Sequence, residues 1–132
     1  DIKNEIAKLA KNNELESRDD NDMTPLIFAS RYSDDPGLIS ALISAGSKIE
    51  STTEMGFTPL IVASAFNDCP EIVSALIKAG AELEARDNLK YGFTSLMAAA
   101  CLGDTPEIVS LLVKAGADLE AKSLDIGMTP LL

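Results

Sequence analysis

The side chains best suited to chemistry are carboxylates that recur at matching places along the chain. Three short segments each close on a glutamate: Glu50, Glu84 and Glu120. Two carboxylates held close together can perform general acid–base catalysis, because one donates a proton while the other accepts one. These glutamates, however, recur in every copy on an edge that we expect to be exposed. We therefore interpret them as solvated scaffold and expect no catalytic pair.

A second set of acids recurs two residues before a proline. Its members are Asp34, Asp68 and Asp104, which precede Pro36, Pro70 and Pro106. A column of acids on one face would suit a basic partner, whereas an aspartate in a turn commonly hydrogen-bonds the neighbouring backbone. We favour the second interpretation and predict that these aspartates stabilise turns.

Nucleophilic and metal-binding chemistry has little support. The two cysteines, Cys69 and Cys101, share no metal-ligand spacing, and the chain has no histidine. This excludes Ser-His and Cys-His pairs and histidine-ligated metals. No phosphate-binding glycine motif is present either. We predict no enzymatic activity, no cofactor and no metal site, and unpaired cysteines fit a reducing, cytoplasmic compartment.

Composition narrows the class of partner. The chain has 132 residues, 46% of them hydrophobic, and a net charge of −10. Such acidity argues against nucleic acid, which requires clustered Lys and Arg. A solvated acidic surface explains the charge, and a basic partner is the alternative. No apolar run is long enough to span a membrane, and the N-terminus does not resemble a signal peptide.

A repeated triplet organises the chain. The copies are Thr24-Pro25-Leu26, Thr58-Pro59-Leu60, Thr94-Ser95-Leu96 and Thr129-Pro130-Leu131, and their threonines are 34, 36 and 35 residues apart. Fixed spacing of this size indicates stacked structural repeats. The triplet itself predicts a helix start, because Thr caps free backbone N–H groups and Pro suits the first turn.

Each copy follows one plan. A first helix begins at the Thr, and a second begins at the Pro of the Asp-x-Pro turn. Gly46, Gly80 and Gly116 then end the second helices. A short segment and a glycine-containing turn lead to the next Thr. We predict repeats at 22–55, 56–91 and 92–126, a partial or capping unit at 1–21, and the start of a further repeat at 127–132, all within one domain. The ends suggest a longer natural array.

These units resemble ankyrin repeats. The resemblance rests on the T-P-L-x-x-A starts, on Pro70-Glu71-Ile72-Val73 and Pro106-Glu107-Ile108-Val109, and on the Ala-Gly-Ala segments at 79–81 and 115–117. The copies exceed the family period of about 33 residues, with one extra residue at each Asp-x-Pro turn and a further insertion at Leu89-Lys90-Tyr91. The family's His after T-P-L is replaced by Ile27, Ile61, Met97 and Leu132, so apolar packing must substitute for it.

The resemblance implies an all-α repeat solenoid of helix-turn-helix pairs with projecting β-turn fingers. It also implies a non-catalytic module that binds a protein through its fingers and the concave face of its first helices, and we expect this module to be a monomer. Partner-binding residues are then predicted in three groups. These are Arg31, Tyr32, Phe66, Cys101 and Leu102 at the ends of first helices; Met23, Phe57, Phe93 and Met128 before each Thr; and the Leu89, Lys90 and Tyr91 insertion.

Three alternatives remain open at this point. The side chains of Tyr32, Phe66 and Leu102 could fold beneath the lengthened turns and seal the core, and the residues before each Thr could pack between fingers. The chain could also be a spacer or autoinhibitory segment of a larger protein whose activity lies elsewhere. The identity of the partner is not encoded in these residues.

Overall fold

A computed structural model describes residues 2–124 and 129–130. Within them the chain forms seven α-helices and no strand. They are α1 (Ile2–Lys11), α2 (Pro25–Tyr32), α3 (Pro36–Ala45), α4 (Pro59–Phe66), α5 (Pro70–Lys78), α6 (Ser95–Leu102) and α7 (Pro106–Lys114). The three predicted helix pairs are therefore α2–α3, α4–α5 and α6–α7. Met128 and Leu132 lie outside the described residues.

The first helices begin where the threonine triplets predict. The Oγ1 atoms of Thr24, Thr58 and Thr94 accept hydrogen bonds from the backbone N–H three residues later, at 3.2, 3.2 and 3.3 Å. Each bond satisfies one of the N–H groups that a helix start leaves free. Ser95 replaces Pro without loss of the cap. Pro36, Pro70 and Pro106 open the second helices as predicted.

The helices stack in two layers. One layer, called here the first-helix layer, contains α2, α4 and α6, each packed on the next, and the second-helix layer contains α1, α3, α5 and α7. Each first helix also packs on its own second helix. This is the architecture of an all-α repeat solenoid, in which every unit buries its apolar face against its neighbours.

One continuous core runs between the layers. It is built from the apolar stripes of the second helices and from leucines and alanines of the first helices: Ile39, Leu42, Leu60, Ala63, Ile72, Leu76, Leu96, Ala99, Ile108 and Leu112. Ile27, Ile61 and Met97, which replace the histidine of the resemblance, are all buried. Apolar packing therefore does occupy those positions, as predicted.

The N-terminal segment forms a helix that is equivalent to the second helix of a later unit. Helix α1 packs on α3, and Asn13 ends it with a φ of 59°, in the left-handed region that glycine occupies in later copies. The N–H of Glu14 donates to the carbonyl of Leu9 at 2.8 Å, as Ser47 donates to Leu42 at 3.0 Å. Residues 2–16 thus reproduce the second half of a repeat.

Asn67 connects two units at the end of α4. Its Nδ2 donates to the carbonyl oxygens of Ser30 and Ser33, at 2.8 and 2.9 Å, and its Oδ1 accepts from the N–H of Cys69 at 2.8 Å. One buried amide therefore satisfies two carbonyls of the preceding unit and holds the turn into α5. The turn before α3 is held similarly by Ser33, whose Oγ accepts from the N–H of Asp35.

This geometry corrects the prediction for the aspartate column. Asp34, Asp68 and Asp104 are exposed, and among the described residues their carboxylates make no hydrogen bond within the turns. The residues before them, Ser33 and Asn67, make those bonds instead. The sequence pattern identified the turn correctly but assigned its stabilisation to the wrong side chain.

Replacing Asn67 by alanine is expected to lower the free energy of unfolding by about 2 kcal/mol, because buried carbonyls lose their donors. Ser33→Ala removes a single half-buried acceptor and should cost less than about 1 kcal/mol. Urea unfolding followed by circular dichroism measures both. Equal losses in the two variants would contradict a specific role for the buried amide.

Among the described residues, three complete fingers project from the stack, at residues 18–23, 52–57 and 86–93, and residues 122–124 begin the segment predicted as a fourth. A β-turn closes each finger. In each turn a backbone N–H, that of Asp22, Gly56 or Gly92, donates a hydrogen bond to the carbonyl oxygen of the residue three positions earlier. A second backbone hydrogen bond closes the base of each finger. The N–H groups of Asp19, Thr53 and Asp87 donate to the carbonyl oxygens of Met23, Phe57 and Phe93, at 3.0, 3.1 and 3.0 Å respectively. The predicted β-turn fingers are present.

Candidate functional site

The ends of the first helices present a row of exposed apolar side chains. Tyr32, Phe66 and Leu102, called here the helix-end row, are 58%, 39% and 53% exposed. They occupy the last position of α2, α4 and α6, in helices that pack side by side. Because they remain exposed, they do not seal the core beneath the lengthened turns. Exposed apolar groups on adjacent elements are typical of interaction surfaces.

Arg31 joins the first two members of the row. Its guanidinium carbon lies 4.5 Å from the ring centroid of Phe66 and 5.3 Å from that of Tyr32. Contacts of this length are favourable cation–π interactions. The ring of Phe28 packs against the ring of Tyr32, with 4.8 Å between their centroids. The result is an aromatic surface with one positive charge.

The exposure of Phe28 was not predicted from the sequence. It lies four residues after Thr24, where the next two copies have the smaller Val62 and Ala98. That difference in size between copies was the available signal. When the same position holds Ala in one copy and Phe in another, the residues that cover that position are expected to differ between the two copies.

The residues before each threonine lie at the finger bases. Met23, Phe57 and Phe93 are half-buried, and Met128 falls outside the described residues. Phe57 packs against the small cluster of Ile61, Ala65 and Ala98 and lies 6.1 Å from the Phe66 ring. Phe57 thereby connects the second finger to the helix-end row, and all three residues are less exposed than the members of the row.

The fingertips carry a second exposed apolar strip. Met55, Leu89, Tyr91 and Leu124, called here the fingertip strip, are 54%, 47%, 38% and 70% exposed. Backbone bonds hold successive tips together, from Asn88 N–H to the Met55 carbonyl at 2.8 Å and from Leu124 N–H to the Tyr91 carbonyl at 2.9 Å. Met55 and Leu124 were not predicted, because their contacts cross between fingers.

The inserted Leu89-Lys90-Tyr91 segment is therefore part of an ordered surface. The Tyr91 ring stacks on Phe93 at 5.8 Å between centroids, and the Lys90 ammonium lies 5.6 Å from the Tyr91 centroid. Leu89, Lys90 and Tyr91 are all exposed. The insertion places one cation and two large apolar groups at the tip of the third finger.

A family model described as ankyrin repeats (3 copies) matches residues 2–87 and again residues 32–123. Together these matches cover most of the chain. The chain belongs to the ankyrin repeat family. No curated protein matches it.

Ankyrin repeats typically mediate protein–protein interactions and typically lack catalytic activity. The carboxylates of this ankyrin stack serve the scaffold in a specific way. Glu16, Glu50 and Glu84 each accept a hydrogen bond from a backbone N–H of the following unit, at Lys48, Glu82 and Asp118, at 3.0, 2.9 and 2.9 Å. The periodic glutamates thus bridge repeats. Partial burial raises the pKa of Glu50, and the nearby Glu82 carboxylate acts in the same direction.

The two thiols of the ankyrin stack differ in accessibility. Cys101 is exposed at the end of α6, beside Leu102, whereas Cys69 is half-buried. Burial raises the pKa of the Cys69 thiol, and so does its hydrogen bond to Glu71 Oε2 at 3.1 Å. A raised pKa is the opposite of what a nucleophilic cysteine requires. Within residues 2–124 and 129–130, no cluster of Cys, Asp and Glu could hold a metal ion.

The described helices are short. The longest have ten residues, and none of the described helices is both long and apolar enough to cross a membrane.

Proposed function

We propose that this protein is a non-catalytic interaction module that binds a protein partner through the helix-end row and the fingers. The observation that supports this most directly is the exposure of Tyr32, Phe66 and Leu102 on three adjacent helices. Arg31 and Cys101 flank that row, and Phe28 extends it. Aromatic and Arg side chains in such clusters are the residue types that contribute most to binding energy at interfaces.

The second part of the proposed surface is the fingertip strip. Leu89, Lys90 and Tyr91 are exposed there, and Met55 and Leu124 continue the strip on the neighbouring fingers. Met23, Phe57 and Phe93 at the finger bases belong to the same proposed surface, and Met128 is proposed with them from its position before Thr129. The bonded fingers and packed helices form a pre-ordered surface, so binding loses little conformational entropy.

The test is affinity capture from a lysate of the source cells, quantified by mass spectrometry. The parent is compared with a Tyr32→Ser, Phe66→Ser, Leu102→Ser variant. The matched control is Val113→Ser with Leu119→Ser, which removes exposed apolar groups elsewhere. We expect the row variant to lose at least about tenfold of the captured partner, equivalent to about 1.4 kcal/mol, and the control to retain it. Circular dichroism establishes that both variants stay helical.

The alkylation rate of Cys101 is an independent measurement on the same complex. Its exposed thiol lies next to Leu102, so a bound partner should slow its alkylation by iodoacetamide. Half-buried Cys69 serves as the internal reference in the same digest. Unchanged alkylation of Cys101 in the captured complex, together with full capture by the row variant, would contradict binding at the helix-end row. Capture of nothing by the parent would favour a spacer role instead.

A further inference from the structure

The aspartate column lies beside the helix-end row, and the fold makes no use of its charge. Asp34, Asp68 and Asp104 each follow a member of the row by two residues. All three are exposed, and among the described residues their carboxylates take part in no hydrogen bond and no ion pair. The turns that they occupy therefore do not explain why an acid recurs there in every unit.

The first two aspartates lie on turns that are held against each other. Asn67 Nδ2 donates to the carbonyl oxygen of Ser33 at 2.9 Å, and Cys69 Sγ donates to the carbonyl oxygen of Asp34 at 3.8 Å. Asp68 stands between Asn67 and Cys69 in the chain. The turn that carries Asp68 therefore lies directly against the turn that carries Asp34.

The third turn packs just as closely on the second unit. A Cβ added at Gly103 would lie 3.0 Å from the carbonyl oxygen of Ser64 in α4. Asp104 follows Gly103 directly. The column of carboxylates therefore continues from one unit to the next across all three helix pairs.

Phe66 shows that this surface exists in the middle of the stack. Its helix, α4, packs on α2 and on α6, and both neighbours are described. Phe66 is nevertheless 39% exposed, and Asp68 beside it is exposed as well. The pairing of an apolar group with a carboxylate therefore does not depend on what precedes α1 or follows α7.

The charge of the helix ends is negative. Residues 31–35, 65–69 and 101–105 contain four aspartates and one arginine, a net charge of −3. Arg31 is half-buried, with its guanidinium over the rings of Tyr32 and Phe66. The carboxylate of Asp35, the fourth aspartate, accepts from the N–H of Gly37 at 2.9 Å. The three column carboxylates are therefore the charges that a partner meets, and Lys or Arg complements them.

We propose that the helix-end row and the aspartate column together bind a segment of a partner protein in which large apolar residues alternate with Lys or Arg. The inference rests on the proposed function and adds the chemistry of the partner. The apolar side chains pack on the row, where the aromatic groups supply most of the binding energy. The basic side chains pair with the column, where exposed charges act mainly by accelerating association.

The probe is a phage-displayed library of random peptides of about twelve residues, which is more than the extended length needed to cross three helices packed 8–10 Å apart. Peptides are selected on the parent chain and counter-selected on the Tyr32→Ser, Phe66→Ser, Leu102→Ser variant. We expect the enriched peptides to combine large apolar residues with Lys or Arg and to contain few acids. The most enriched peptide is synthesised with biotin, and its binding is measured by biolayer interferometry.

Two variants of equal charge separate the column from the overall acidity of the chain. The column variant is Asp34→Asn, Asp68→Asn, Asp104→Asn. The control replaces three exposed glutamates in the segments that follow second helices, Glu14→Gln, Glu82→Gln and Glu120→Gln. Both variants raise the net charge of −10 by three.

We expect the column variant to bind the peptide at least about tenfold more weakly than the parent, mainly through slower association, and the control to stay within about twofold. Added salt should reduce the difference. Phe66→Ser should instead accelerate dissociation, since it removes a contact that forms after encounter. Circular dichroism checks the fold of the column variant, which loses no bond within the described residues. Asp68→Asn alone takes its place should the triple variant unfold.

Three outcomes would overturn the proposal. These are no enrichment on the parent, enriched peptides without Lys or Arg, and equal losses of affinity in the column and control variants. Self-association of the parent that competes with the peptide would also overturn it, because the surface would then belong to a second copy of the chain. If the proposal fails while the row variant still loses its captured partner, the proposed function stands. If the row variant keeps that partner, both fail.

Discussion

Replacing Leu76 by alanine is expected to lower the free energy of unfolding by about 3–5 kcal/mol, the largest effect of any substitution considered for this chain. Leu76 is fully buried in α5 and belongs to the core shared by successive units. Helices α3 and α7 pack on α5 from either side. The cavity therefore opens at the middle of the stack, where neighbouring helices on both sides restrict its collapse.

Urea unfolding followed by far-UV circular dichroism measures this loss. The control is Leu102→Ala, the same substitution at a position that is 53% exposed, which should change stability by less than about 0.5 kcal/mol. If both variants lie within about 1 kcal/mol of the parent, then the core between units does not determine stability. A broadened Leu76→Ala transition would show the units unfolding separately, since repeat stability depends on coupling between neighbours.

The second large effect is expected at Gly56, in the turn of the second finger. Its φ is +78°, and an added Cβ would lie 2.6 Å from the backbone nitrogen of Asn88. That nitrogen donates the bond to Met55 that holds two fingers together. Gly56→Ala should cost about 1–2 kcal/mol for the left-handed backbone and about 1–3 kcal/mol more for the steric clash.

Gly80 is the matched control for this substitution. It has a φ of +97°, but nothing lies within 4 Å of an added Cβ. Gly80→Ala should therefore show only the backbone cost of about 1–2 kcal/mol. Amide hydrogen exchange supplies a second readout, because only Gly56→Ala should expose the Asn88 amide. Equal destabilisation by the two substitutions, with Asn88 still protected, would show that the finger relaxes around the new methyl group.

The helices and turns of this chain could be predicted from sequence because their signals are local. A threonine cap and its N–H donor are three residues apart, and a proline fixes the first turn of the helix that it opens. The left-handed residues Gly46, Gly80 and Gly116 act on the helix that they end. Repetition then strengthened each local signal, since three copies agreed on every element.

Features that depend on contacts between units were not predictable from one sequence. Asn67 bonds to a carbonyl 37 residues earlier, and the N–H of Lys48 bonds to Glu16, 32 residues before it. The local pattern predicted that Asp68 stabilises its turn and that the glutamates are solvated. The exposure of Phe28 was not predictable either, because the burial of this side chain depends on which helix lies beside α2 rather than on the residues of α2.

For the candidate surface, sequence supplied the residues and structure supplied their accessibility. The pattern placed Tyr32, Phe66 and Leu102 at equivalent helix ends, but the same pattern allowed them to be buried or exposed. Backbone bonds between fingertips determined that Met55 and Leu124 continue the strip started by Leu89. Partner binding by these residues is the part that the capture experiment tests.

The glutamate bridges give the stack a direction. In each bridge the acceptor belongs to the earlier unit and the N–H donor to the later one, with Glu84 and Asp118 as the last described pair. Each middle unit is therefore an N–H donor to the unit before it and a carboxylate acceptor for the unit after it. Unfolding of one middle unit breaks a bridge on both of its sides, which couples its unfolding to that of its two neighbours.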